Sequence, residues 1–306
     1  MSSPLRSITV IFSPYNHGIP DSRFGDGPNR IRDQGIVKAL ETTGVEVHVR
    51  TIEPVDSTSY ELQRTFEVMR RVSIAVTECH QAQSFPLIVS GNCMSTVSAA
   101  CGLPDKDLGV IYIDAHDDIQ TPSTNVNGLF DATSFGMLFG EAWHALAKTI
   151  PGFRIRSFDD TVFVGLRDVQ DEEKHRLEEL NVDVVWGSRE RKVDFAQELT
   201  TVFDRRGGNG SDKARIGRAC VHLDLDALDI SVGKANEWST AGGLHEDDLQ
   251  KCMKVLATKI KPASMTISAF NPNLGDGDKV AKVAIEGMVT FTKSMITAGV
   301  VVSKSK

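Results

Sequence analysis

The stretch LGVIYIDAHDD, residues 108 to 118, joins an apolar run directly to a histidine and three aspartates. Apolar runs of this length that are rich in β-branched residues are typical of strands buried in a parallel sheet. Like charges about 4 Å apart repel by roughly 4 kcal/mol per pair at an effective dielectric near 20. A strand that ends in a carboxylate cluster therefore needs a cation, bound protons or wide separation of the charges. The stretch predicts a buried strand with a charged site at its carboxyl end.

Other apolar runs repeat this pattern and alternate with segments of helical period. The predicted strands span residues 8–12, 45–49, 85–90, 108–113, 160–165, 182–186, 218–223 and 264–270, and the predicted helices span 60–82, 133–147, 188–205, 246–258 and 279–297. Such alternation predicts an α/β fold, a three-layer α/β/α sandwich with a mostly parallel sheet. The polar, glycine-rich segment 205–213 is interpreted as a surface loop because the alternation continues beyond it. Residues 1–306 are thus expected to form a single domain.

Composition argues against several classes of partner. Basic residues number 34 against 41 acidic ones, for a formal net charge of -7, and they are scattered. This pattern lacks the electrostatic footprint of proteins that bind nucleic acid or an anionic membrane. No apolar stretch approaches the roughly 20 residues of a membrane span, and the N-terminus lacks the features of a secretory signal. Five cysteines without a CxxC pair argue against a disulfide framework or zinc ribbon. We expect a cytoplasmic protein that binds a small molecule.

The charged residues gather where the predicted strands end, which is where ligands bind in open α/β sheets. Alternation along a strand places Asp114 and His116 on one side, and it places Asp224 and Asp226 on one side in the same way. With Asp118, these side chains form an oxygen-rich set that suits Mn²⁺ or a similar divalent ion. Either segment alone could instead be a solvated loop that caps a helix. Asp117 is expected to face away from the cluster and to be solvated or salt-bridged.

Two motifs here resemble those of the ureohydrolase superfamily, which comprises arginase, agmatinase and formiminoglutamase. The motifs are D-A-H-x-D at residues 114–118 and D-x-D-x-x-D at residues 224–229. Further similarity lies in segments 24–47, 164–168, 241–244 and 270–281, so the resemblance of this divergent chain covers nearly its whole length. It implies an arginase-like fold, two Mn²⁺ ions, and hydrolysis of a non-peptide C–N bond in a guanidino or amidino compound. It also implies a homo-oligomer, a trimer or a hexamer.

The resemblance also implies roles for the residues of both motifs. Asp114 and Asp224 would bridge two metal ions. Asp118 would lie on one ion and orient the hydroxide nucleophile, whereas His116 and Asp226 would lie on the other ion.

The first metal position departs from the family pattern. The family segment Gly-Gly-Asp-His-Ser, whose histidine completes this position, is replaced here by Ser-Gly-Asn-Cys-Met at residues 90–94. Three interpretations stay open. Cys93 is a metal ligand, which would favour zinc or iron over manganese; or the first position is weakened or empty and the second acts alone; or the thiol lies nearby unused.

Substrate-facing positions differ as well. Asn127, within the segment 125–128, stands where the family carries a histidine proposed as a proton shuttle, and an amide does not shuttle protons near neutral pH. Ala269 replaces the glutamate that grips the guanidinium, and Gln170 stands where arginases place an acidic residue for the substrate's α-amino group. Losing one partner of a buried charge pair costs several kcal/mol. We predict substrate contacts from Asn125, Asn127 and Gln170, and poor activity on arginine.

Two further histidines are candidates for different roles. His245 is interpreted as a replacement acid or base that reaches the same cavity, with a residue at a helix start as the alternative. His222, inside a predicted strand, is interpreted as a core histidine or one that supports a ligand.

The residues leave three functional hypotheses. The first is a metal-dependent C–N hydrolase with a substrate other than arginine. The second is a catalytically silent relative that serves as a regulatory subunit, and the third is an amidohydrolase that uses only the second metal position. The intact aspartates favour the first, because an idle site has no reason to retain such repulsion.

Overall fold

We describe residues 3–208 and 211–304 of the chain from a computed structural model. The strands are β1 (Ser7–Ser13), β2 (Tyr15–Asn16), β3 (Ile19–Pro20), β4 (Glu46–Thr51), β5 (Ser84–Ser90), β6 (Gly109–Ile113), β7 (Thr161–Val164), β8 (Asp183–Val185), β9 (Arg218–Asp224) and β10 (Lys261–Ser268). Within the described residues, eight of these strands form one sheet in the order β4-β1-β5-β10-β9-β6-β7-β8. Every neighbouring pair is parallel. The short strands β2 and β3 form a separate antiparallel hairpin.

Helices cover both faces of the sheet. They are α1 (Gly27–Asp33), α2 (Ile36–Glu41), α3 (Glu61–Gln81), α4 (Ser95–Gly102), α5 (Ser134–Leu138), α6 (His144–Ala147), α7 (Asp171–Glu179), α8 (Phe195–Arg205), α9 (Glu246–Lys259) and α10 (Gly277–Thr297). Apolar residues of α1, α2, α8, α9 and α10 belong to one core, and those of α3 to α7 belong to the other. The fold is therefore the predicted three-layer α/β/α sandwich.

Alternation along the strands separates the two cores. In β6, Ile111 and Ile113 pack in the first core, whereas Val110 and Tyr112 pack in the second. In β9, Val221 and Leu223 belong to the first core. Both faces of a parallel sheet are buried by crossover helices, so its strands are apolar throughout instead of alternating with polar residues. This burial is why continuous apolar runs predicted the strands well.

All eight strands predicted from the sequence are present, whereas several helices differ from prediction. The single helix predicted over 133–147 is two short helices, α5 and α6, because Gly140 and Trp143 between them adopt positive φ angles of 78° and 51°. The helix predicted from residue 188 begins only at Phe195, where the Asp194 side chain accepts a hydrogen bond from the Gln197 N–H as an N-cap. Helices α1, α2, α4 and α7 were not predicted, since they are short.

The segment 205–213 is only partly the surface loop that was predicted. Arg206 and Lys213 are buried, and both pair with the buried carboxylate of Asp183 on β8, at 2.6 Å and 3.3 Å respectively. Residues 209 and 210 lie outside the described part of the chain. The segment is thus polar for two reasons: part of it is exposed to solvent, and Arg206 and Lys213 belong to a buried ion cluster with Asp183.

The described part of the chain contains no helix with the length and apolar character needed to cross a membrane.

Candidate metal centre

Four neighbouring strands in the middle of the sheet end at one cavity. The strands β5, β10, β9 and β6 are adjacent in that order. Their carboxyl ends carry Cys93, Ala269, Asp224 and Asp114, and all four residues line a cavity of about 310 Å³. Such a volume is in the usual range for small-molecule sites. The parallel arrangement is what brings these distant segments together.

Asp114 lies at the centre of the charged cluster, with only 1% of its surface exposed. Its Oδ1 accepts a hydrogen bond from the backbone N–H of His116 at 2.8 Å. The Nδ1 atom of His116 lies 3.4 Å from Asp114 Oδ1 and 3.4 Å from Asp226 Oδ2. Ligand atoms of Asp114, His116 and Asp226 all lie within 4.8 Å of one another, as one group that could hold a cation.

Asp114 also belongs to a second group, with Cys93, His222 and Asp224. All four residues of this group are buried. The Cys93 thiol donates a hydrogen bond to Asp224 Oδ2 at 3.1 Å, and the Asp226 N–H donates to Asp224 Oδ1 at 2.7 Å. The shared carboxylate of Asp114 places the two groups side by side, which is the arrangement that two bridged metal ions require.

The pKa values in the cluster reflect burial and mutual repulsion. Burial, followed by the charges of neighbouring carboxylates, raises the pKa values of Asp118 and Asp224 well above the ordinary range. Burial would also raise the pKa of Asp226, but the adjacent imidazole of His116 lowers it. Burial opposes the charged form of His116, yet Asp226 and Asp114 raise its pKa well above the usual value. The carboxylates and the imidazole therefore shift one another's pKa values, as expected for charged groups crowded into a buried site.

The residues present fit a pair of divalent ions. The Oδ2 atom of Asp114 and the Nε2 atom of His222 are buried and find no hydrogen-bond partner among the described residues. An unpaired buried polar atom costs about 1–3 kcal/mol, and a cation between such atoms would remove that cost. The donors are carboxylates, imidazoles and one thiol, which are common ligands of divalent transition metals.

Asp118 belongs to neither of the two groups of candidate ligands, whose ligand atoms lie within 4.8 Å of one another. Its Oδ2 accepts hydrogen bonds from the Tyr112 hydroxyl at 2.6 Å and the Ser134 hydroxyl at 3.3 Å. Its backbone, in the loop that follows the end of β6 at Ile113, has a positive φ of 53°. Asp118 therefore lines the cavity, and its carboxylate is held in position by the hydroxyls of Tyr112 and Ser134.

Asp117 differs from the sequence-based expectation. Its side chain is buried, not solvated, and it lines the same cavity. Its Oδ1 accepts a hydrogen bond from the Ile119 N–H, and its Oδ2 has no hydrogen-bond partner in residues 3–208 and 211–304. Burial and the nearby charge of Glu173 raise the pKa of Asp117 to about 7. The expectation was wrong because β6 ends at Ile113 and the chain bends over residues 114–116, so strand alternation does not extend to Asp117.

The four substrate-facing positions all line the cavity. Asn125 is half-buried, with its Nδ2 donating to the Leu129 carbonyl at 2.6 Å and its Oδ1 left without a partner. Asn127 and Gln170 are exposed at the rim. Ala269 is buried deeper, 5% exposed, and its carbonyl accepts a hydrogen bond from Asn236 Nδ2.

The structure does not bring His245 to the cavity. It is exposed and lies at the N-cap of α9, where its backbone N–H donates to Asp248 Oδ2 at 3.1 Å and its side chain completes a capping box. The expected role of His245 as a replacement acid or base therefore has no geometric support. A histidine directly before acidic residues is better explained as the start of a helix.

Two cavity features were not assigned from the sequence. His17, from the loop between β2 and β3, lines the cavity, and its Nε2 lies 3.5 Å from Asp131 Oδ2. His222 belongs to the group of candidate ligands that contains Cys93, Asp114 and Asp224 instead of being only a core residue. Strand alternation carried a signal for His222, because it lies two residues before Asp224 on the same face. Nothing local to His17 marked it, since its position depends on a hairpin that is hydrogen-bonded to Asn92, in the loop after β5.

Comparison with known proteins defines the family. The model of the arginase family matches residues 6–292, and the chain belongs to that family, as the motifs indicated. It is 25% identical to arginase of Bacillus caldovelox over 299 residues, which cover 92% of this chain and 96% of that protein.

Solved structures agree on the fold. The arginase of Bacillus subtilis superposes with a TM-score of 0.77 at 21% identity, covering 94% of this chain and 98% of that one. The proclavaminate amidino hydrolase of Streptomyces clavuligerus has a TM-score of 0.66 at 16% identity, covering 97% and 94%.

Proposed function

We propose that this protein is a metal-dependent hydrolase of a non-peptide C–N bond in a small molecule, arginase-like but not selective for arginine. One observation supports this most strongly: Asp114 is shared by two groups of candidate ligands at the floor of a cavity of about 310 Å³. An amidino hydrolase among the structural neighbours supports the class of reaction. The substrate is a guanidino, amidino or amide-type compound.

The proposed ligands of the centre are Cys93, Asp114, His116, Asp118, Asp224 and Asp226. The proposed ions are two divalent cations, which are Mn²⁺ by analogy with the family, with Zn²⁺ or Fe²⁺ as the alternative where Cys93 is a ligand. When bound, such ions act as Lewis acids and lower the pKa of coordinated water toward neutrality. Asp118 is proposed to orient the attacking water, because Tyr112 and Ser134 already hold its carboxylate.

His17 is proposed for the proton transfer that Asn127 does not perform. The His17 ring lies at the cavity with Asp131 on one side at 3.5 Å and Glu61 on the other at 3.3 Å. A carboxylate beside an imidazole fixes its orientation and stabilises its protonated form. His17 can thus hold a proton and deliver it to the leaving nitrogen.

The cavity wall supports a substrate that is less cationic than arginine. Ala269 offers a methyl group where a carboxylate would grip a guanidinium, and Arg23 adds a positive charge to the lining. Arg23 pairs with Glu237 at 3.2 Å and stacks on Phe24, so it is held near the cavity. A buried guanidinium without a charged partner loses several kcal/mol of binding free energy. Asn125, Asn127 and Gln170 are the proposed polar contacts to substrate.

Metal content and hydrolysis test this proposal together. Chelator-treated protein would be reconstituted with Mn²⁺, Zn²⁺ or Fe²⁺, its bound metal counted by mass spectrometry, and its activity measured on a panel of guanidino, amidino and formimino compounds. We expect at least one ion per chain and faster hydrolysis of another compound than of arginine. Asp114→Asn should abolish both, whereas Asp204→Asn, which removes an exposed pairing with Lys259, should preserve both. Protein that binds no ion under any condition would overturn the proposal.

The same experiment separates the alternatives. If the protein hydrolyses its substrate with only one ion bound per chain, the second metal position alone performs the chemistry. That position is formed by Asp114, His116 and Asp226. Bound metal without hydrolysis of any compound would favour a silent regulatory subunit, which the loss of the glutamate at Ala269 supports.

We also propose a single domain, a homo-oligomer and a cytoplasmic location; sedimentation and fractionation would test the last two.

A further inference from the structure

His222 is buried in the cluster of candidate metal ligands and lies on the same face of β9 as Asp224. It is 0% exposed, and a fully buried histidine normally satisfies both ring nitrogens with hydrogen bonds. This one satisfies only Nδ1. That nitrogen lies 2.6 Å from the hydroxyl of Thr96 on α4.

The other ring nitrogen faces the cluster without a partner. His222 Nε2 lies 3.7 Å from Asp114 Oδ2, which is too long for a hydrogen bond, and neither atom has another partner within the described part of the chain. The ring is fixed from its face by Tyr112, which stacks on it at 4.1 Å with an interplanar angle of 11°. His222 is thus held rigidly, with an unsatisfied nitrogen aimed at the carboxylate that both ligand groups share.

We propose that His222 is a metal ligand and that, with Cys93, it converts the first metal position into a thiolate–imidazole site selective for Zn²⁺ or Fe²⁺ over Mn²⁺. The imidazole lost at residue 93 is replaced here by one from a different strand. The second position, with Asp114, His116 and Asp226, keeps the harder set that suits Mn²⁺. The centre is therefore heterometallic. This inference rests on the proposed metal-dependent function and specifies the ions that serve it.

The surroundings of His222 match those of metal-bound histidines. Such a histidine donates its second N–H to a fixed oxygen, which sets the tautomer and the ring orientation. Thr96 Oγ1 supplies that oxygen for Nδ1. The lone pair on Nε2 then points toward the group formed with Cys93 and Asp224. The soft thiolate of Cys93 biases this position away from Mn²⁺.

The test measures metal identity and spectra, and it needs no substrate. Apo-protein would be incubated with equal Zn²⁺ and Mn²⁺, and the bound ions counted; separately, Co²⁺ would be added as a spectroscopic probe of sulfur ligation. We expect one zinc and one manganese per chain, and a sulfur-to-cobalt charge-transfer band. Cys93→Ser should abolish the band, and His222→Asn should lose the zinc while keeping the manganese. His175→Asn, an exposed histidine on α7, and Cys252→Ala, a buried thiol elsewhere, serve as controls.

Thr96→Val keeps both ligands and removes only the oxygen beside Nδ1. It should weaken zinc binding about 10–100-fold while the protein stays folded, and so it tests the inference if His222→Asn fails to fold. Two manganese ions in the wild-type chain, or no charge-transfer band, would overturn the inference. Zinc content unchanged in both His222→Asn and Thr96→Val would overturn it as well. None of these three results affects the proposed hydrolase, which would be overturned by the absence of any bound ion or by bound metal without hydrolysis of any compound.

Discussion

The Nε2 atom of His17 lies 3.5 Å from Oδ2 of Asp131, and this pair links two segments of the cavity wall that are 114 residues apart in the chain. The backbone of His17 has a positive φ of 49°, and its N–H donates to Asn92 Oδ1 at 2.7 Å. Asn92 Nδ2 in turn donates to Asp131. The residue next to Cys93 is thereby tied to the hairpin and to the loop after β6.

The His17–Asp131 pair should make stability depend on pH. Burial opposes protonation of His17, but Asp131 and Glu61 raise its pKa in spite of the nearby positive charge of Arg23. Because the folded pKa is the higher one, the stabilisation is fully present below the unfolded value of about 6.5 and is lost as the pH rises through the folded value. His17→Asn should cost about 2 kcal/mol near pH 5.5 and much less near pH 9, measured by urea denaturation. An equal loss of unfolding free energy in His17→Asn at both pH values would contradict this.

Asp229 is predicted to stabilise the fold without holding metal. It accepts hydrogen bonds from the backbone N–H groups of Ser231 at 2.9 Å, Gly242 at 2.6 Å and Gly243 at 3.2 Å. Asp229→Asn should cost about 2–3 kcal/mol near neutral pH and leave the number of bound ions unchanged. Burial opposes ionisation, but hydrogen bonds from the Ser231 side chain and from these backbone N–H groups lower the pKa of Asp229. Its contribution is therefore present above about pH 4 and is lost as the pH falls through the folded value. The exposed Asp107→Asn is the control, and a lost ion in Asp229→Asn would refute the assignment.

Gly91 is predicted to be essential for the position of Cys93. A Cβ at this residue would lie 2.1 Å from the Tyr15 carbonyl oxygen, a contact that requires backbone movement. Gly91→Ala should cost about 3 kcal/mol and reduce metal content, because it displaces the turn that carries Asn92 and Cys93. Gly217→Ala, where nothing lies within 4 Å, should be close to neutral in both thermal denaturation and metal analysis. Normal metal content in a folded Gly91→Ala protein would rule out this role.

Asp183 is predicted to be a major contributor to stability far from the cavity. It is the buried counter-charge for Arg206 and Lys213, at 2.6 Å and 3.3 Å. Asp183→Asn should lower the free energy of unfolding by about 3–5 kcal/mol, because two buried cations lose their partner. Asp204→Asn, which breaks an exposed ion pair, should cost less than about 1 kcal/mol. Chemical denaturation measures both, and equal costs would show that the Asp183 cluster is hydrated.

Restoring a carboxylate at Ala269 should restore affinity for a guanidinium. Ala269 lines the cavity and already has a positive φ of 59°, so Glu can occupy the same backbone conformation at no greater strain. Ala269→Glu should tighten arginine binding at least about tenfold, which corresponds to about 1.4 kcal/mol, in titration calorimetry. Ala269→Gln has nearly the same shape without the charge and should give little gain. Equal gains for both would show that size, not charge, limits binding.

Local sequence patterns predicted most of the fold. The strands that became β5, β6, β9 and β10 are buried on both faces, and such strands appear as continuous apolar runs. Charged residues at their carboxyl ends predicted the position of the site, because parallel strands end at one edge. Helices α5 and α6 were misjudged because positive φ angles at Gly140 and Trp143 interrupt a segment whose composition favours one helix.

The sequence by itself thus determined the class of fold, the family and the acidic residues that form the cluster, since these depend on periodicity and on short motifs. Only the tertiary structure decided which side chains share the cavity. It buried Asp117, left His245 at an exposed helix start, and brought His17 and His222 to the site. The physical reason is that alternation sets which residues share a strand face, whereas the order of strands in the sheet and the packing of the loops above them depend on contacts between distant segments.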